Sequence, residues 1–155
     1  MRTLETTFPK EDKAGIRWKR VVLAGFLSEI AVIAVLSAVI GAYSLVIAPG
    51  RPDSEYNQFA ELAGYYLAAP AAALATFGFA FWTVRRLESR AVANGLLVGT
   101  VAMLLSSGFI LGAKPEHRLM YVVSFALRIL AGYCSGVLAQ KMKGAPQGDY
   151  ARQVR

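Results

Sequence analysis

Four long runs of apolar residues dominate the chain, and short polar or basic segments separate them. These runs predict helices over residues 21–48, 62–84, 91–113 and 119–140. Each run reaches or exceeds the roughly 20 residues with which an α-helix crosses about 30 Å of hydrocarbon. Strands of a membrane barrel would instead show segments of about 10 residues with alternating polarity. The pattern therefore predicts an all-α integral membrane bundle of four transmembrane helices.

The polar segments predict how this bundle is organised. Residues 1–17 form a polar arm, residues 18–142 the transmembrane domain and residues 143–155 a polar tail. The connection of residues 85–90 is short, which makes helices 2 and 3 antiparallel neighbours. We therefore expect up-down topology.

Composition and charge agree with a membrane protein and orient it. Apolar residues make up 55% of the chain and the mean hydropathy is +0.43, which is unlike a soluble domain. Of 17 basic residues, thirteen precede helix 1, join helices 2 and 3 or follow helix 4, and three lie in the two opposite loops. This positive-inside bias predicts an inner (cell) membrane protein with both termini in the cytoplasm.

The net charge of +7 also bears on partners. Basic side chains at the cytoplasmic face predict contact with anionic lipid head groups. They lack the interleaved aromatic residues of a nucleic-acid platform, so no nucleic-acid partner is expected.

Reactive residues are few. Cys134 and His117 are the only cysteine and histidine, and they lie apart, so we predict no metal site and no cofactor. The acidic residues of the loops form no catalytic spacing with His117, and we do not expect an enzyme.

Small residues recur at helical spacing on the predicted helices. Because lipid gives helices little hydrophobic reason to associate, such faces mark close helix packing, either inside the bundle or in a homo- or hetero-oligomer with other membrane proteins. The positions are Gly25, Gly64, Ala68, Ala72, Gly95, Gly99, Gly132 and Gly136. Pro70 interrupts the backbone hydrogen bonds of helix 2, which predicts a kink or a hinge.

Glu29 and Arg128 are the only charged residues at predicted membrane depth. At about 1.5 Å per residue they lie about 12 Å and about 16 Å from the cytoplasmic ends of their helices, so their side chains are within reach of each other. Arg128 keeps its charge and needs a partner. Two interpretations stay open: a structural ion pair that selects which helices meet, or a polar cavity that exchanges protons or binds a ligand.

The segment LAGFLSEI, residues 23–30, resembles the surroundings of the membrane glutamate in the small multidrug resistance exporters. The resemblance covers eight residues. The long first helix, the loops, the total length and Arg128, which would neutralise Glu29, depart from that family, so we do not carry its activity over.

Two functions remain from the sequence. The first is a small polytopic membrane protein that acts through interaction, as an accessory or self-associating subunit. The alternative is a small oligomeric transporter or ion-coupled carrier that uses Glu29 and Arg128. The first accounts for the small-residue faces, and the second accounts for charge inside the membrane.

Overall fold

The computed structural model describes residues 15–87, 90–111 and 118–144, and in these residues the protein is all-helical. Helix α1 spans Trp18–Ala42 and continues as a π-helical turn over Tyr43–Ile47. Helices α2, α3 and α4 span Asp53–Val84, Ala91–Leu111 and Arg118–Gly144. All four are long and apolar enough to cross a membrane, in agreement with the predicted helical membrane protein.

Helix α2 begins at Asp53, well before the predicted start at residue 62. Hydropathy missed this part because residues 53–61 are largely polar. Gly50 turns the chain with a φ of 77°, Pro52 is extended, and Asp53 and Glu55 complement the helix dipole in the first turn. A helix can therefore begin before its apolar run does.

The turn that leads into α2 is held by aromatic side chains. The hydroxyl of Tyr56 donates to the carbonyl of Ala48 at 2.8 Å and accepts from the backbone N–H of Arg51 at 3.0 Å. Tyr43 stacks on Phe59 with ring centroids 3.8 Å apart. These contacts join the end of α1 to the start of α2.

The other predicted boundaries fall partly outside the described residues. This applies to residues 1–14 of the arm, residues 112–113 of helix 3 and residues 145–155 of the tail. Helix α4 continues to Gly144, past the predicted end at residue 140. There Lys141 and Lys143 lie in the last turn, where cations complement the helix dipole.

The helices pack through small side chains, while large apolar side chains cover the outside. Helix α1 packs on α2 and α3, α4 packs on the same two helices, and α1 and α4 make little contact along their lengths. One buried cluster joins α1, α2 and α3 through Val21, Ala24, Ala80 and Val98. Apolar side chains such as Phe26, Leu74, Leu104 and Leu130 are exposed, as expected for a lipid-facing surface.

Glycines bring the backbones of α3 and α4 into contact. A Cβ at Gly95 would meet the carbonyl oxygen of Gly132, and one at Gly132 would meet that of Gly95. A Cβ at Gly136 would lie 2.5 Å from the Cα of Val92. Only glycine fits at these positions without displacing backbone, so this contact fixes how α4 sits against α3.

Two polar contacts join helix ends at one end of the bundle. Asn94 is fully buried, and its side chain accepts from the backbone N–H of Arg17 at 3.1 Å and donates to the carbonyl of Arg90 at 3.0 Å. Lys143 at the end of α4 donates to the carbonyl of Leu87, just after α2. The start of α1, the start of α3 and the ends of α2 and α4 therefore lie together.

Candidate functional site

Glu29 and Arg128 meet between α1 and α4. Nη2 of Arg128 donates to Oε2 of Glu29 at 3.3 Å, and Nη1 contacts Oε1. Nη1 also donates to the carbonyl of Ala102 in α3 at 3.4 Å. The side chain of Arg128 is 5% exposed and that of Glu29 is 13% exposed. A buried guanidinium keeps its charge, so Glu29 is the group that neutralises it.

The position of Arg128 depends on a glycine in the neighbouring helix. A Cβ at Gly99 would lie 2.6 Å from the carbonyl oxygen of Arg128, so a larger residue would push α4 away from α3 at this level. On the other side, Gly25 faces Val101, where a Cβ would lie 2.6 Å from a methyl carbon. The two glycines let α1 and α4 approach α3 closely enough for the charges to meet.

One hydrogen-bond donor of Arg128 is left without a partner among the described residues. Its Nε is buried and makes no hydrogen bond, whereas Nη1 and Nη2 both contact Glu29. Buried donors are usually paired, and Nε–H and Nη2 together form a fork that suits two oxygen atoms. The ion pair therefore uses only part of the binding capacity of this guanidinium.

A cavity of about 450 Å³ extends from the ion pair toward the start of α2. Its walls are stripes of residues from three helices. In each stripe the residues recur at helical spacing and span about 10–14 Å along the helix. The stripes are Glu29, Val32, Ile33 and Leu36 of α1; Ala60, Glu61, Gly64, Tyr65, Ala68 and Ala69 of α2; and Met120, Tyr121, Ser124, Phe125 and Arg128 of α4. Helix α3 contributes Ser106.

Polarity changes along this cavity. The inner end holds the ion pair with Ser106 and Ser124, both of which are buried. The hydroxyl of Ser106 donates to the carbonyl of Ala102 at 2.9 Å, so its oxygen lone pairs remain able to accept. The middle of the wall is aliphatic, and tyrosines and Glu61 line the other end. Such a cavity suits a small molecule with a polar end and an apolar body.

The small residues predicted on α2 have different surroundings from those on α3 and α4. Ala72 is fully buried, but Gly64 and Ala68 line the cavity. A Cβ at Gly64 would have no neighbour within 4 Å, so this glycine provides space rather than a close helix contact. Pro70 lies inside a continuous α2, directly after the cavity residue Ala69.

The other residues that the sequence offered for metal binding or catalysis do not lie at this site. Within the described ranges, no three His, Cys, Asp or Glu side chains lie close enough to hold a metal ion. Cys134 is exposed on α4 and is not in the cavity wall. His117 lies outside the described residues.

Sequence reasoning missed most of the cavity wall. Following Arg128 toward residue 140 leads to Gly132 and Gly136, which contact α3. Following it in the other direction by three, four and seven residues leads to Phe125, Ser124 and Tyr121. The same steps forward from Glu29 reach Val32, Ile33 and Leu36, so both stripes were present in the sequence as continuations of the charged positions.

We compared the chain with protein-family models, with curated proteins and with solved structures, and none of them matches. The function must therefore be argued from the cavity and the ion pair.

Proposed function

We propose that the chain is a carrier-type protein of the inner membrane that binds a small molecule in the cavity above the Glu29–Arg128 pair. The observation that carries this proposal is the position of the pair at the inner end of a cavity of about 450 Å³. This volume lies within the usual range of small-molecule sites, about 300–1,000 Å³. Ionisable residues at membrane depth also commonly mark the path of a substrate or ion.

The proposal includes up-down topology with both termini in the cytoplasm. The charge bias of thirteen basic residues against three supports this orientation. Contacts between α3 and α4 support the direction of the helices, because positions 92, 95 and 99 of α3 meet positions 136, 132 and 128 of α4. With this orientation the end of the cavity that is lined by Glu61 and the tyrosines faces outward.

The packing glycines favour a carrier over an accessory subunit. Gly95, Gly99, Gly132 and Gly136 contact residues of the same chain, so they are not available as a seam for a second protein. Association with other membrane proteins and with anionic lipid stays a prediction from the sequence.

The mechanism follows from how weakly α1 and α4 are otherwise connected. They touch little along their lengths, and the ion pair bridges them. A ligand that inserts between Glu29 and Arg128 breaks their direct contact and allows α1 and α4 to move apart at the inner end. Since a ligand shifts a conformational equilibrium only through contacts that differ between the states, replacing the bridge supplies the required difference. Pro70 would let the α2 wall follow this movement.

Thiol labelling from each side of the membrane tests the proposal without knowledge of the ligand. In a Cys134→Ser background, Ser124→Cys places a thiol of similar size at the inner end of the cavity. A charged methanethiosulfonate reacts with the thiolate, which forms in water and is disfavoured in hydrocarbon. We expect labelling both in right-side-out and in inverted membrane vesicles, because a carrier exposes its site to each side in turn.

Val122→Cys in the same background is the matched control, since Val122 is 55% exposed on the apolar surface of the same helix. It should react slowly from either side. Labelling of Ser124→Cys from one side alone would reject a carrier and leave a binding site. Equal, slow labelling of both variants would reject a water-accessible cavity altogether.

A further inference from the structure

The inner end of the cavity carries one negative and one positive group, held as a pair. Glu29 and Arg128 neutralise each other, and within the described residues the one other hydrogen bond of the Arg128 side chain is to the carbonyl of Ala102, at 3.4 Å. Any ligand that binds either charge competes with this pair. The charge of the ligand therefore decides whether the displaced residue, Glu29 or Arg128, keeps a partner of opposite charge.

From this arrangement we propose that the cavity binds a zwitterion with an apolar body, such as an α-amino acid with an aromatic or branched side chain. The inference rests on the proposed function, because it identifies the ligand class of that cavity. The ammonium group binds Glu29, the carboxylate binds Arg128, and the side chain lies along the apolar wall.

Charge balance selects a zwitterion over a simple ion. A cation that took Glu29 would leave the buried guanidinium of Arg128 with a backbone carbonyl alone. An anion that took Arg128 would likewise leave Glu29 unpaired. Removing one partner of a buried ion pair is strongly unfavourable, whereas a zwitterion replaces one ion pair by two and leaves neither charge alone.

The hydrogen-bonding groups at the inner end match both halves of such a ligand. An ammonium group has three donors, and the carboxylate of Glu29 with the hydroxyl oxygens of Ser106 and Ser124 provides acceptors. A carboxylate requires donors, and next to Nη2 Arg128 has an Nε–H that makes no hydrogen bond to the part of the chain that the structure describes. In the paired arrangement Glu29 contacts Nη1 and Nη2, so Nη2 is released to act together with Nε when Glu29 turns to the ammonium group. Two parallel N–H···O bonds can then form.

The size and lining of the rest of the cavity limit the size and polarity of the ligand's side chain. A volume of about 450 Å³ lies within the usual range of sites that hold one small molecule, about 300–1,000 Å³. Val32, Ile33, Leu36 and Phe125 provide an apolar wall. A single aromatic or branched side chain fits this volume.

Three compounds with the same aromatic body test the inference on the full-length protein in detergent: L-phenylalanine, 2-phenylethylamine and 3-phenylpropanoate. The amine lacks the carboxylate, and the acid lacks the ammonium group. Binding is measured by isothermal titration calorimetry and by the shift in Tm. We expect L-phenylalanine to bind at least tenfold more tightly than either of the others.

Equal or tighter binding of the amine or the acid would overturn the inference, and so would no binding of L-phenylalanine. These outcomes are separate from failure of the proposed function, which the labelling of Ser124→Cys reports without any ligand. If the amine alone bound and slowed that labelling, the cavity would remain a binding site for cations. If labelling also failed, both proposals would fall.

Variants of the pair should change selectivity in opposite directions. Glu29→Gln should favour 3-phenylpropanoate because Arg128 is then unpaired, and Arg128→Gln should favour 2-phenylethylamine. Gly64→Leu fills the cavity and should weaken binding of L-phenylalanine at least tenfold. Gly78→Leu, on the same helix but outside the cavity and with nothing within 4 Å of its Cβ, should leave binding unchanged. Should a charge variant fail to fold, the wild-type series and the glycine pair still decide the matter.

Discussion

Replacing one member of the Glu29–Arg128 pair should destabilise the bundle, and replacing both should restore most of its stability. The relevant variants are Glu29→Leu, Arg128→Met and the double variant. Each removes charge while keeping an apolar side chain of moderate size at the position. Comparing the four proteins gives the coupling free energy between the two residues.

The two single variants should differ because the two charges differ in chemistry and in exposure. After Glu29→Leu, Arg128 is a 5% exposed cation that cannot lose its proton, and the one hydrogen bond left to its side chain among the described residues is 3.4 Å long. We expect a loss near the upper end of the about 3–5 kcal/mol typical of a broken buried ion pair. After Arg128→Met, Glu29 lines the cavity and can take up a proton, so the loss should be about 3 kcal/mol or less.

The double variant should lie within about 1 kcal/mol of the wild type, because apolar residues often replace a buried ion pair without loss. Reversible unfolding by dodecyl sulfate in dodecyl maltoside micelles, followed by the fluorescence of Trp18 and Trp82, measures all four free energies. A double variant as unstable as the two single losses combined would show that the residues act independently. A larger loss for Arg128→Met than for Glu29→Leu would refute the argument from charge and exposure.

Two further predictions use the same unfolding assay. Gly132→Ala should cost about 1–3 kcal/mol because its Cβ meets backbone of α3, whereas Gly64→Ala, with open space at its Cβ, should be neutral or stabilise by up to about 1 kcal/mol. Equal effects would contradict the described packing. Asn94→Ala should cost about 1–3 kcal/mol and speed hydrogen exchange at the N–H of Arg17, because it removes the acceptor of that group. The exposed Ser107→Ala is the control, and unchanged exchange at Arg17 in the Asn94 variant would count against the contact.

The four helices could be predicted from the sequence because membrane-length apolar runs have few alternatives. The start of α2 at Asp53 could not, because the residues that continue the helix there are polar and carry no hydropathy signal. The π-helical turn Tyr43–Ile47 could not be predicted either, because an apolar run has the same hydropathy pattern in an α-helix and in a π-helix. Apolar patterns thus predict spans better than helix ends.

The contact between Glu29 and Arg128 could be predicted from the sequence because two buried charges of opposite sign at similar depth strongly favour each other. The cavity could not be predicted from the sequence. Gly64 shares its residue type with Gly95, and both lie at helical spacings, yet a neighbouring backbone fills the space beside Gly95 and the space beside Gly64 stays open. Whether a small residue makes a contact or a cavity depends on the helix opposite, which spacing within one helix does not specify.

The ion pair also has a consequence for biosynthesis. Glu29 and Arg128 are 99 positions apart, so about 5–20 s pass between their synthesis at about 5–20 residues per second. During this interval the first helix has entered the membrane with an acidic group whose partner has not yet been made. Arg128 arrives with the last helix, so insertion of that helix both completes the bundle and neutralises the charge. A chain truncated before α4 would keep the acidic group without a counterion, and this defect distinguishes an unfinished chain from a complete one.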